Sequence, residues 1–250
     1  MILMPAVDIR DGRAVRLRQG QFDDETVYAE DTLEAARAFV AGGARFLHVV
    51  DLDGARAGAP VNLAHLERIV AGTKAPVQYG GGLRSIDSIK QALRAGAGWV
   101  VVGTAAYADP EFLDAARQDY APRLIVSVDV RGGKVSLSGW TEQTDVAPEE
   151  LIDRLQGQGV TKFLYTNVDR DGMLEGVDVE EVRRISETVR GRFIMSGGVG
   201  SLDDLRALRD LELQNLSGVV VGKALYEGRF TIAEAQAELD SPPGSPARQV

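Results

Sequence analysis

The sequence has no cysteine, only two histidines, and 6% aromatic residues in a chain of 250. Without cysteine there is no disulfide, no thiolate nucleophile and no Cys-based zinc or iron–sulfur site. His48 lies in an apolar run and His65 in a solvated helical stretch. Neither has zinc-site spacing, so no metal is expected. Basic residues are also in deficit: 28 Lys and Arg face 37 Asp and Glu, a formal charge of −9. That argues against a nucleic-acid partner, which requires a basic surface. No apolar run approaches the length of a membrane span, and the start at Met1–Asp8 lacks the basic flank of a targeting leader. A cytoplasmic monomer that acts on a small molecule, away from membranes, is expected.

Glycine, by contrast, is abundant: 28 residues of 250, against a usual share of roughly 7%. Tight turns or close backbone approaches to a ligand follow. Eight short apolar runs punctuate the chain: Ile2–Val7, Phe46–Val50, Val77–Tyr79, Trp99–Val102, Leu124–Val128, Phe163–Asn167, Phe193–Ser196 and Val219–Val221. They are apolar without alternating, as parallel strands covered on both faces are. Helix starts stand between them at Asp31-Thr32, Asn62, Asp109-Pro110 and Ser201 to Asp204, and C-terminal caps are expected at Gly42, Gly72 and Gly96. Eight strand–helix units in about 240 residues match a (β/α)8 TIM barrel in count and size. An open doubly wound sheet offers no use for eight even units. Residues 1–240 are read as one barrel domain and the Pro-rich residues 241–250 as a disordered tail.

The two halves repeat each other. Asp8 with its following turn corresponds to Asp129, Asp51-Leu-Asp-Gly to Asp169-Arg-Asp-Gly, Gly81-Gly82 to Gly197-Gly198, and Gly103-Thr104 to Gly222-Lys223, at offsets of 116 to 121 residues. A barrel of two similar half-barrels is expected.

Glycine pairs after a strand and before a capped helix let backbone N–H groups reach an anion. Gly197-Gly198 and Gly222-Lys223 stand after the seventh and eighth strands, the favoured phosphate position of such barrels. Gly81-Gly82 and Gly103-Thr104 repeat them. Two phosphate sites should therefore face each other, which suits a ligand phosphorylated at both ends. Asp8 and Asp129 end the first and fifth strands on opposite sides of the mouth, a placement for paired acid and base. Asp53 and Asp87 read as caps or ion-pair partners. Asp169 and Asp171 lack the remaining ligands of a calcium loop. Lys223, next to a glycine at a helix start, suits anion contact better than imine formation. Trp140 either stacks on a flat heterocycle or anchors its loop, and the residues leave both open.

Read together, Met4-Pro-Ala-Val-Asp-Ile-Arg-Asp-Gly-Arg, Val50-Asp-Leu-Asp-Gly-Ala, Gly80-Gly-Gly-Leu-Arg-Ser, Ser138-Gly-Trp, Asp169-Arg-Asp-Gly-Met-Leu-Glu-Gly, Ser196-Gly-Gly-Val and Val221-Gly-Lys-Ala-Leu-Tyr-Glu-Gly resemble the isomerases of histidine biosynthesis that act on phosphoribosylformimino-aminoimidazole carboxamide ribotide. The resemblance runs from Met1 to about residue 240. It implies an Amadori rearrangement of an aminoaldose to an aminoketose, without a cofactor, on a bisphosphorylated substrate. It implies Asp8 as the base, with Asp129 and Asp171 competing as the acid, and Arg16, His48, Arg84, Thr166 and Trp140 as substrate contacts. Two relatives differ. The cyclase of the same pathway typically has Cys-Leu-Asp where Pro5-Ala-Val-Asp8 stands. The dual-substrate form, which also isomerises phosphoribosyl anthranilate, tends to have Arg where Ser138 stands.

Overall fold

The computed structural model describes residues 1–245. Its first half runs β1 (Ile2–Arg10), β2 (Arg13–Arg18), β3 (Gln21–Ala29), α1 (Thr32–Ala41), β4 (Leu47–Asp51), α2 (Leu52–Ala57), α3 (Leu63–Thr73), β5 (Val77–Gly80), α4 (Ile86–Arg94), β6 (Trp99–Val102), α5 (Thr104–Ala108) and α6 (Pro110–Tyr120). The second half runs β7 (Leu124–Arg131), β8 (Lys134–Leu137), β9 (Glu142–Gln143), α7 (Pro148–Gly157), β10 (Lys162–Asn167), α8 (Val179–Thr188), β11 (Arg192–Ser196), α9 (Leu202–Asp210), β12 (Leu216–Val221), α10 (Lys223–Tyr226) and α11 (Ile232–Asp240). Strands β1, β4, β5, β6, β7, β10, β11 and β12 pair in parallel in that order, and β12 pairs back onto β1. The result is a closed (β/α)8 barrel, as the eight apolar runs predict. Among the described residues no helix is long and apolar enough to cross a membrane.

Side-chain parity along each strand fixes what faces the barrel axis. Met4, Ala6, Val101, Ile125, Leu164, Ile194 and Val220 form the inner core, with Phe46 and Trp99 packed against it. The intervening residues, such as Val7, Tyr79, Val126, Phe163 and Phe193, pack outward in the cluster that includes buried helix residues such as Leu66, Ile89 and Leu205. Continuing the inward parity by one or two steps brings Asp8, His48, Gly103, Asp129, Thr166, Ser196 and Gly222 to the mouth.

Several local expectations need correction. The eight runs missed the antiparallel excursions β2–β3 and β8–β9, because these segments interleave charged and polar residues with apolar ones. Their turns were visible: Asp11-Gly12 and Gly132-Gly133 both have positive φ at each position, the two-residue hairpin geometry. Asn62 precedes α3 but makes no capping bond, since its amide donates to Asp51 and Asp53 instead. Gly72 lies inside α3, which ends at Lys74 in the left-handed region. His65 is half-buried, its Nδ1 2.9 Å from Thr32 Oγ1. Asp31, Asp109 and Ser201 cap their helices as expected, Ser201 in a capping box with Asp204. Of the predicted tail, Gly244 N–H donates to Asp210, and residues 246–250 lie outside the described residues.

The register also revises the repeat. Asp8 aligns with Val50 across β1 and β4, whereas Asp129 aligns with Thr166 across β7 and β10. Asp51 therefore corresponds to Asn167 and Asp53 to Asp169, two residues away from the match suggested by the shared Asp-X-Asp-Gly. Hydrogen bonds agree: Asp53 accepts from Asp11 N–H and Asp169 from Gly132 N–H, at equivalent hairpin turns. Asp171 consequently matches Ala55, and the first half has no counterpart to its carboxylate.

Candidate active site

One cavity opens at the mouth. Asp8, Arg16, His48, Asp129, Trp140, Thr166 and Asp171 line it, as do Gly81, Gly82, Arg84, Gly103 and Thr104. The sequence-predicted residues of the first phosphate cradle and all three candidate carboxylates thus share one space. Gly197, Gly198, Gly222 and Lys223 line a separate, smaller pocket, which shares Arg16 and Asp171 with the main one.

Arg16 reaches this centre because β2 folds back along β1, so that Asp8 pairs with Val15 and the next residue rises over the mouth. Its Nη1 donates to Asp8 Oδ2 at 2.7 Å and its Nη2 lies 3.3 Å from Asp171 Oδ1. The guanidinium packs against Gly222: a Cβ there would lie 2.4 Å from Arg16 Cζ, so any larger residue requires the guanidinium to shift. Gly222 therefore seats a cation as well as ending a strand.

Burial dominates the electrostatics. It pushes the Asp8 carboxyl up to about 6, with Arg16 pulling it down and Asp171 pushing it further up. Asp129 is also raised to about 6 by burial, against hydrogen bonds from Trp140, Thr166 and Ser127 that favour its ionised form. Asp171 is raised by burial, while Arg16 and Lys223 oppose the rise. Asp8 and Asp171 thus have a cation in contact or nearby, and Asp129 is held by neutral donors. His48 is pushed down to about 3 by burial, with Arg16 adding to the effect, so its ring is neutral. Gln78 Nε2 stands 2.7 Å from its Nδ1, and with the amide nitrogen as donor the ring proton lies on Nε2.

The two cradles are built alike. Gly81 and Gly82 have φ of 109° and 75°, Gly197 and Gly198 of 91° and 95°. A Cβ at Gly81 would lie 2.1 Å from Asp51 O, and one at Gly197 2.4 Å from Asn167 O. Ser85 and Ser201 then cap α4 and α9. The cations differ, however. Arg84 lines the first cradle and donates to Ala55 O, whereas its repeat counterpart is Gly200. Lys223 lines the second and donates to Gly172 O at 3.0 Å, whereas its counterpart is Thr104, which accepts from Ser138 N–H.

Sequence reasoning missed three contributors. Asp51 is fully buried and accepts from Gly54, Val61 and Asn62 N–H, the Asn62 amide and Tyr79 Oη. It braces the loop against which Gly81 packs. Ser127 lies two residues before Asp129 on the same inward face, a position legible from period two. Gly20 faces Trp140 so closely that a Cβ would lie 1.9 Å from the indole, which identifies that ring as a bridge between two loops.

A profile of the family described as histidine biosynthesis protein matches residues 2–231. Among curated relatives, a protein of Desulforudis audaxviator is 48% identical over 95% of this chain and 90% of its own. One from Moorella thermoacetica is 43% identical over 95% and 98%, and one from Marinobacter nauticus 41% over 96% and 99%. All three are named 1-(5-phosphoribosyl)-5-((5-phosphoribosylamino)methylideneamino)imidazole-4-carboxamide isomerase.

Proposed function

We propose, for a chain that belongs to the histidine biosynthesis protein family, that it isomerises the carboxamide ribotide named in its relatives from aminoaldose to aminoketose. The observation that carries the reading is the cavity flanked by Asp8 and Asp129, with Arg16 on Asp8 and, among the described residues, no cation on Asp129. One acid and one base are what the rearrangement needs.

Asp129, free of a cation partner and desolvated, supplies its proton to the ribose ring oxygen. The C1′–O bond breaks as the exocyclic nitrogen forms an iminium. Asp8, kept ionised by Arg16, removes the C2′ proton, whose bonding pair moves to give the enolamine. Tautomerisation to the 2′-ketone, with a proton returned to C1′, completes an aminoketose of unchanged composition. Asp171 serves less well as the acid, because Arg16 and Lys223 favour its ionised form. Neutral His48 donates from Nε2 to substrate oxygen, and Thr166 holds Asp129. Phosphates at the two ends occupy the two cradles, with Arg84 and Lys223 as their cations. The reaction as written requires no cofactor, and the chain is proposed to act as a monomer. A cytoplasmic location fits a soluble substrate of this kind.

Purified protein offered the carboxamide ribotide and, separately, phosphoribosyl anthranilate tests this directly. Turnover of the first alone is expected. Absence of turnover overturns the reading, and comparable rates on both replace it with a dual-substrate isomerase.

A further inference from the structure

Arg131 ends β7 two residues beyond Asp129 and does not line the cavity. Among the described residues it has no carboxylate within ion-pair distance. Its guanidinium is used on two backbone carbonyls from different loops: Nη1 donates to Trp140 O at 3.0 Å and Nη2 to Gln19 O at 2.8 Å. Those two loops meet over the cavity, where the Trp140 ring covers Gly20. Gln19 continues the chain of bonds, its N–H donating to Asp171 O at 3.2 Å and its Nε2 to Asp169 O at 2.7 Å.

The segment that carries Trp140 is strained. Ser138, Gly139 and Trp140 have φ of 56°, 65° and 72°, and Gln19 has 48°. Non-glycine residues hold such conformations only when surrounding contacts determine them. Here the determining contacts include the two Arg131 bonds, one on each strained segment. A lysine presents its charge at one nitrogen and cannot reproduce the planar fork that spans both carbonyls.

We propose that Arg131 is a positioning residue that ties the loop after β2 to the loop after β8, so that both cover the cavity as one unit and Trp140 is seated beside Asp129. For its kinetic consequence this rests on the isomerase reading above. The conformational consequence is independent of it.

The test uses full-length protein carrying W99F, which leaves Trp140 as the sole tryptophan of the two in the sequence. Without substrate, R131M is expected to raise acrylamide quenching of Trp140 about twofold, with R131K intermediate and far-ultraviolet circular dichroism unchanged. With substrate, R131M should lower kcat/KM by about tenfold to a hundredfold, the scale of a small misplacement. Adding W140F to R131M should cost less than the product of the two single losses. Unchanged quenching in both R131M and R131K overturns the proposal, as do single losses that multiply fully. Should R131M fail to fold, R131K decides by the same readings. Failure of the parent to turn over substrate counts against the isomerase reading alone, because the quenching comparison still stands or falls by itself.

Discussion

Arg16 occupies, in the first half-barrel, the hairpin position that Leu137 occupies in the second. Asp8 pairs with Val15 and Asp129 with Ser136, so the residues that follow are equivalent. One carboxylate consequently meets a guanidinium and the other meets apolar and neutral polar groups. Two strands with nearly the same backbone thereby hold carboxylates in different electrostatic surroundings, a cation beside one and neutral donors around the other, although burial raises both to about 6.

Replacing Arg16 by Leu removes the opposing charge from Asp8, whose carboxyl then rises above about 6. The base must be ionised, so activity lost on acidification will be lost at higher pH than in the parent. Gly222→Ala should act in the same direction by displacing the guanidinium. The pH profile of kcat/KM reads this shift in the acidic limb, and an unmoved limb in both variants contradicts the assignment of Asp8 as base.

Among the carboxylates, Asp8→Asn and Asp129→Asn are each expected to lower kcat by about 10²–10⁴-fold, the usual contribution of a positioned acid or base. Asp171→Asn should cost less than either. Steady-state kinetics of the three variants decide between Asp129 and Asp171: a larger loss at Asp171 transfers the acid role to it.

Folding stability should carry the opposite sign. The folded Asp129 carboxyl lies at about 6, above the unfolded value near 3.8. The native state therefore binds the proton more tightly, and this group's contribution to stability falls as pH rises through that interval. Asp129→Asn, which carries no charge to bury, should stabilise the fold at pH 7 by about 3 kcal/mol. Thermal melts at pH 4 and pH 7 measure it, with the gain expected only at the higher pH.

Asp51→Ala leaves five donors without their acceptor in a buried loop. A loss of about 3–5 kcal/mol is expected, as for other broken buried charge networks. Denaturant unfolding measures it, and a change below about 1 kcal/mol would show that Asp51 does not brace the first cradle.

Much of this site is legible in the chain. Apolar runs of three to six residues such as Trp99–Val102 mark strands because a parallel strand between helices and barrel interior has no solvent face. The glycine pairs are legible because the turns they form admit no Cβ. Asp8 and Asp129 can be placed by strand parity once their strands are found. Arg131 is not legible, since its partners are main-chain carbonyls 9 and 112 residues away, and main-chain groups have no sequence signature. The Asp-X-Asp-Gly match misled for a related reason: identical letters were aligned where hydrogen-bond register aligns Asp53 with Asp169.

The absence of cysteine and the excess of acidic over basic residues set the boundaries. Composition, periodicity and repeat determined a barrel of two halves, its glycine cradles and a pair of opposed carboxylates, because these depend on local sterics and strand period. Only the tertiary structure decided which carboxylate meets a cation, that Gly222 seats Arg16, and that Trp140 and Gly20 close against each other. Those are contacts between residues far apart in the chain, and their energies depend on burial and distance, which exist only once the barrel has closed.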